Sequence, residues 1–439
     1  MSPSAVDVVT EVHNVAKKAI ETESQTKYPE PLKLSGALDS YEYFDTTPII
    51  GREYPNANLV DILNSPNSDE LIRDLAITIS QRGVVFFRAQ DNLTNDLQKK
   101  LILRLGELTG RPKTSGLHIH PLLNAERETY GGDDNEISTI SSAQNDKLYK
   151  KTWTQPDELS PKKQSTAQWH SDIAFEPVPA DYTSLRLTEL PKTGGDTLWA
   201  SGYEIYDKIS APYQKFLETL SVTFAQKRFN EIADANGFSL YSQPRGAPEN
   251  VGTDLRAVHP LVRTNPVTGW KSIFPVGGHV QHVNGLTDEE SDGLLKWYLD
   301  LVYRNHELQT RLKWRNKNDI AIWDNRSVFH TATFDLEGQG DRFGNRAVGL
   351  GERPYLDPGS RSRREALAEG NELQQSVFYP HFGTIRGGFL PADKPDNLIT
   401  DDVVVKTQKE CGFCNRDAEQ HKYSICGSWK YWKQQSNHD

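Results

Sequence analysis

The chain is expected to be mainly β with flanking helices (α+β), its strands stacked as a sandwich or jelly roll. Three observations lead there. From about residue 137 onward, short strand-like runs follow one another with turn residues between them. That spacing suits an antiparallel sandwich better than a parallel α/β sheet. Only two short helical stretches and one long helix interrupt the run, while other helical periodicity gathers ahead of it. A hydrophobic content of 36% with a mean hydropathy of −0.65 describes a soluble chain with long polar loops.

In order, the first helix is expected over about residues 4–21, where Val8, Val9, Val12, Ala16, Ala19 and Ile20 recur at helical spacing. "ESQTKYPEPLKLSG" reads as a linker. A second helix, "DELIRDLAITISQRG", ends at Gly83 and feeds "VVFFRA", a short buried strand. "TNDLQKKLILRLGELTG" is a third, with Thr94 as N-cap and Gly110 just past its end. The strands that follow are "ISTIS", "SLRLTEL", "DTLWA", "SVTFA", "AVHPLV", "KSIFPV" and "DIAIWD". Among them lie the helices "SGYEIYDKIS", "PYQKFLETL" and "TDEESDGLLKWYLDLVYR". The last opens with a capping box, Thr287 and Glu290. No internal repeat is evident.

Composition narrows the function. At 439 residues the chain has room for two or three average domains, or for one large β domain with insertions. Sixty acidic against fifty basic side chains give a net charge of −10, which argues against a nucleic-acid surface. No apolar run approaches the ~20 residues that span a bilayer, so no membrane partner is expected. The first residues lack a basic segment followed by an apolar one. Three cysteines, all in the last 29 residues, argue against a disulfide framework. A cytoplasmic location is the expectation. A homo-oligomer, dimer or tetramer, is left open.

The chemistry-bearing stretch is "QWHSDIAFEP", residues 168–177. Read as a strand, it sets His170 and Asp172 on one face, two adjacent ligands for a divalent metal. The plainer alternative is a His–Asp hydrogen bond on a half-buried strand. A metal needs a third ligand, and among the twelve histidines His330 stands shortly after the apolar strand "DIAIWD". Two histidines and a carboxylate on one side of a metal leave other positions open, the facial triad of non-heme Fe(II) oxygenases. A 2-oxoglutarate cosubstrate would need a cation for its far carboxylate, and arginine suits it. Arg342 and Arg346 follow His330 by twelve and sixteen residues, an even separation that would put both on one face of a strand.

These motifs resemble the taurine/2,4-D dioxygenase family of Fe(II)- and 2-oxoglutarate-dependent oxygenases, with its taurine and fungal sulfonate dioxygenases. The resemblance runs in order from about residue 115 to 355: "LHIHP", "WHSDIAFEPVPADYTSLRLTELPKTGGDTLWASG", "HPLVRTNPVTGWKSIFPVGG", "NDIAIWDNRSVFH" and "RFGNRAVGLGERP". It implies a double-stranded β-helix (jelly-roll) oxygenase core over 45–355, between an N-terminal helix and linker (1–44) and a C-terminal extension (356–439). It also implies Fe(II), 2-oxoglutarate and O2 as cofactors and cosubstrates.

Residue by residue, the resemblance makes His170, Asp172 and His330 the catalytic iron ligands. Thr197 and Arg342 would hold the far carboxylate of 2-oxoglutarate. Arg346 becomes the candidate for the substrate's anionic head, with His120 as a second contact. Trp323, Asp324 and Asn325 are expected to shape the turn before His330. Leu123 and Thr166 stand where taurine dioxygenase has a tyrosine and an asparagine, so the pocket keeps an anion site but not the taurine pattern. Between His120 and His170 lie 49 residues, more than in bacterial members, and the surplus around "NDKLYKKTWTQPDELSPKKQST" is lid-like or an inert insertion.

The reaction implied is hydroxylation of a small anionic molecule, an alkanesulfonate first of all, with succinate and CO2 as coproducts. A hydroxylated sulfonate carbon would collapse to an aldehyde and sulfite. The alternatives are the same chemistry on an amino acid or other carboxylate, by hydroxylation or cyclisation, and a non-catalytic binder on the oxygenase scaffold. The tail "CGFCNRDAEQHKYSIC" places Cys411, Cys414, His421 and Cys426 in a zinc-knuckle-like order with off-pattern spacing. Packing of the extension through Phe413, Trp429, Tyr431 and Trp432 is the favoured reading of that segment.

Overall fold

The strand Val84–Phe87 explains how the sequence builds two layers. Its four side chains alternate, so Val85 and Phe87 enter one apolar cluster while Val84 and Phe86 enter another on the opposite face. The neighbouring strand Ile320–Asp324 divides likewise, with Ile320 and Ile322 on one side and Ala321 and Trp323 on the other. Both faces are covered. Such strands therefore read as unbroken apolar runs.

A computed structural model of the chain describes residues 27–125, 133–149, 169–333, 335–336 and 338–369. The helix expected over 4–21, most of the 145–166 insertion, Thr166 and the Cys411–Cys426 tail lie outside the described residues. In chain order the strands are β1 (Phe44–Asp45), β2 (Arg52–Tyr54), β3 (Val84–Phe87), β4 (Ile137–Ser141), β5 (Ala180–Glu189), β6 (Thr197–Ser201) and β7 (Ser221–Ala225). They continue with β8 (Arg256–Pro260), β9 (Val262–Thr264), β10 (Lys271–Ile273), β11 (Val280–Val283), β12 (Gln309–Leu312), β13 (Ile320–Asp324), β14 (Val328–Ala332) and β15 (Phe343–Leu350).

A seven-stranded sheet runs β1-β2-β3-β13-β5-β15-β4, antiparallel except where β2 lies parallel to β3. Facing it is the three-stranded sheet β12-β6-β14, whose Leu312, Trp199 and Val328 pack with Phe86, Leu185 and Trp323. A second three-stranded sheet, β11-β7-β8, and the β9–β10 hairpin complete the strands of a double-stranded β-helix (jelly-roll) core.

Helices close the outer faces. Ser68–Arg82 and Asn95–Glu107 lay Leu71, Leu75, Ile79, Leu101 and Leu105 on the large sheet. Thr94 caps the second of these by accepting from the Leu97 amide, as expected. Asp288–Arg304 covers the other side with Leu294, Tyr298 and Val302, and its Thr287–Glu290 capping box forms in both directions. The run "AVHPLV" divides into β8 and β9, and β5 begins four residues before the expected "SLRLTEL".

Candidate active site

β14 carries His330 toward the space between the sheets. Val328 and His330 share a face by alternation, and β14 pairs with β6 so that His330 lies opposite Trp199. The histidine follows β13 shortly, as expected, and sits inside its own strand beyond the Asn325–Ser327 turn. On its other side the chain reaches His170, and the two residues exchange both backbone hydrogen bonds, 3.1 and 2.9 Å. Their rings come within 4.3 Å, centroid to centroid.

The strand expected for "QWHSDIAFEP" is not there. Extended pairing stops at His170, and residues 172–175 form a turn with Ile173 at a φ of +47°. Asn325 makes that turn: its carbonyl accepts from Ser171 Oγ at 2.7 Å and its Oδ1 from the Asp172 amide at 2.9 Å. Asn325 is itself pinned, donating to Thr183 Oγ1 at 2.8 Å and to the Asp181 carbonyl. Asp172 is therefore brought round to face both histidines by the turn, not by strand alternation.

The outcome is a compact donor set. Asp172 Oδ1 lies 3.9 Å from Nε2 of His170 and of His330, and one ligand atom from each residue falls within 4.8 Å of the others. Burial alone would raise the Asp172 carboxyl, but Arg346 and the two imidazoles outweigh it and hold it below its ordinary range. Burial lowers His330 to about 3, so it offers a neutral imidazole. Asp172 Oδ2 is buried without a hydrogen-bond partner among the described residues. Two imidazoles and a carboxylate with an unsatisfied oxygen fit a divalent cation.

Arg346, on β15, donates from Nη1 to Asp172 Oδ1 at 2.7 Å, and its buried Nε has no partner among the described residues. His120 is buried within electrostatic reach of Arg346, His118 and Asp172, and burial holds it well below its usual range. Its Nδ1 accepts from the Leu122 and Leu123 amides at 3.2 and 3.3 Å, which leaves the proton on Nε2. Leu123 is buried beside it.

Arg342 and Thr197 meet at the mouth of β6. The guanidinium donates to the Gly195 carbonyl at 3.0 Å and to Thr197 Oγ1 at 3.3 Å. Burial lowers it to about 10, yet no carboxylate among the described residues pairs with it. Asp196, an acid within electrostatic reach of it, pairs instead with Arg311 at 2.7 Å. A buried cation with only neutral acceptors is arranged for an anionic ligand. Gly195 has a φ of +67°, which strains any larger residue, and a Cβ there would also crowd Arg342 Cδ at 3.0 Å.

The sequence reading missed a third histidine. His279 sits edge-on to His170 with ring centroids 5.5 Å apart, and 5.1 Å from Phe175. The available signal was "PVGGH", a glycine pair before a histidine. Gly277 has φ +90°, and a Cβ there would lie 1.5 Å from the Trp169 carbonyl, so only glycine lets this loop touch the backbone that precedes His170. Asn325 was expected only to shape a turn; it also anchors the Ser171–Asp172 backbone.

Comparison with known proteins agrees with this geometry. Residues 42–348 match the family described as taurine catabolism dioxygenase TauD, TfdA family. The alpha-ketoglutarate-dependent dioxygenase btcD of Neocamarosporium betae is 53% identical, over 77% of this chain and 98% of its own length. The alpha-ketoglutarate-dependent sulfonate dioxygenase of Saccharomyces cerevisiae is 31% identical, over 76% of this chain and 80% of its own. The crystal structure of a taurine dioxygenase from Burkholderia xenovorans has the same fold, with a TM-score of 0.53 at 23% identity, covering 73% of this chain and 94% of that one.

Proposed function

This chain belongs to the TauD, TfdA family of alpha-ketoglutarate-dependent dioxygenases, and from that premise we propose that it hydroxylates a small organic anion, an alkanesulfonate such as taurine or a relative first of all. The enzyme is an oxidoreductase that uses Fe(II), 2-oxoglutarate and O2. His170, Asp172 and His330 would hold the iron, whose chemistry when bound, with 2-oxoglutarate and O2, is C–H hydroxylation with release of succinate and CO2.

The chain's own groups do the rest. Arg342 and Thr197 hold the far carboxylate of 2-oxoglutarate, and the Gly195 carbonyl fixes the guanidinium that reaches it. Arg346 balances Asp172 from one nitrogen and keeps Nε for the substrate's anionic head, while His120 adds an N–H. Trp199 and Trp323 pack in the layer behind His330 and keep that side dry. The observation that carries the reading is the buried Arg342, which has no carboxylate partner among the described residues and stands just ahead of the strand that carries Arg346.

The sulfonate assignment draws on the yeast relative named for that substrate. A carboxylate, such as an amino acid, is the second reading. It stays open because btcD, the more similar of these two relatives, has a name that states no substrate. Substrate-dependent succinate formation across matched sulfonates, carboxylates and neutral isosteres decides between them. Turnover of neutral isosteres equal to that of the anions would refute both.

A further inference from the structure

We propose that His279 reads the end of the substrate remote from its anionic head, donating a hydrogen bond to an oxygen acceptor there. This narrows the proposed function: among sulfonates and carboxylates, a second oxygenated group is preferred over the amine that taurine or an amino acid carries. This rests on the reading of the site as a hydroxylase of small organic anions.

The imidazole is fixed on both sides. The His279 backbone carbonyl accepts from the Ala225 amide at 2.8 Å, and the preceding Gly278 amide donates to the Trp169 carbonyl at 3.2 Å. Its Nδ1 faces the Gln226 side-chain amide nitrogen at 3.2 Å. That nitrogen can only donate, so Nδ1 accepts and Nε2 carries the proton. No described residue takes up that N–H. His279 also lies within electrostatic reach of His170, Asp172 and Arg346.

His120 is set up in the same way, its Nδ1 occupied by two backbone amides. The two imidazoles end one arc of rings that leads to the donor triad. His120 packs tilted against Phe229 with ring centroids 5.1 Å apart, Phe229 meets Phe175 edge-on at 5.9 Å, Phe175 meets His279 edge-on at 5.1 Å, and His279 meets His170. The wall is thus apolar in its middle and donates hydrogen bonds at both ends.

Among the described residues, an ammonium group finds no carboxylate to spare there, since the open oxygen of Asp172 belongs to the proposed metal site. Among the described residues beside the arc, the acids are Asp172, paired with Arg346, and Glu176, whose two oxygens take Arg245 at 2.6 and 2.9 Å. Placing a charged amine against such a wall leaves its donors unpaired, which disfavours it. A hydroxyl, carbonyl or carboxylate oxygen meets His279 directly.

The test uses the iron-loaded enzyme with saturating 2-oxoglutarate and follows succinate. Two matched series vary only the tail: 2-hydroxyethanesulfonate, taurine and propane-1-sulfonate, then 3-hydroxypropanoate, β-alanine and butanoate. In whichever series is turned over, the hydroxyl tail is expected to have a KM about tenfold below the methyl tail, as one hydrogen bond allows. The ammonium tail ranks last. His279→Phe keeps the ring and removes the donor, so the hydroxyl-to-methyl ratio should collapse toward about one while the KM for 2-oxoglutarate stays the same. His279→Gln, which keeps an N–H, should restore part of the ratio. An ammonium tail preferred over the others, no preference among tails, or a ratio unchanged in His279→Phe would overturn the proposal and leave the anion reading intact. No turnover of any anion in either series would overturn the anion reading, and this proposal with it.

Discussion

Arg342 and Arg346 stand four residues apart and meet different chemistry. Arg342 rests on two neutral oxygens, whereas Arg346 is already paired with Asp172. Arg342→Ala should therefore raise the 2-oxoglutarate requirement sharply, by ~2–5 kcal/mol for losing the partner of a buried carboxylate. Arg346→Ala should chiefly raise the KM for the primary substrate, and steady-state kinetics on both substrates separates the two. A main effect of Arg346→Ala on 2-oxoglutarate would exchange their roles. His330→Ala removes one of the three proposed protein ligands. Turnover and metal affinity should both be lost in it, and near-normal activity would show that the third ligand is another residue.

Two segments owe their shape to one position each. The loop through Gly277 runs against the carbonyl of Trp169, so Gly277→Ala must displace either that loop or the backbone that leads into His170. Its expected cost is several kcal/mol, with loss of metal binding, readable by metal titration alongside chemical denaturation. Retained metal affinity would mean that the loop moves while the triad stays. The helix Asp288–Arg304 offers a control far from chemistry. Thr287→Ala breaks its capping box and should cost about 1 kcal/mol of stability with kcat unchanged.

The fold as assembled keeps several imidazoles uncharged, which makes it sensitive to acid. His259 is buried, its Nε2 within 3.0 and 3.1 Å of the Ala174 and Glu176 carbonyls, and burial lowers it to about 4. His118 is shifted in the same direction by its burial. The unfolded chain takes up a proton near pH 6.5 that the folded one refuses. Stability from His259 is thus complete above about 6.5 and is lost as pH falls from there toward about 4, up to on the order of 3 kcal/mol. Urea midpoints measured at pH 7.5 and pH 5 should fall, and the drop should shrink in His259→Gln. Equal midpoints in the wild type would exclude the effect.

Neighbouring residues alone determined much of this protein. The apolar run "VVFF", the caps at Thr94 and Thr287, and the spaced strands were legible because a strand's period and a helix's cap depend on residues a few positions apart. The family motifs likewise named the triad and the arginine pair, and the structure brings His170, Asp172 and His330 together and sets Thr197 against Arg342. Tertiary structure decided the rest. That "QWHSDIAFEP" turns at Ile173 follows from Asn325, more than 150 residues away, whose hydrogen bonds outweigh the local preference for a strand. His279 gained its place beside His170 only because Gly277 lets two distant segments touch, and Arg346 met Asp172 only once β15 had taken its register in the large sheet. Local pattern specifies which way a side chain points along its own element. Which side chains converge is fixed by the pairing of strands far apart in the chain, and no local period carries that information.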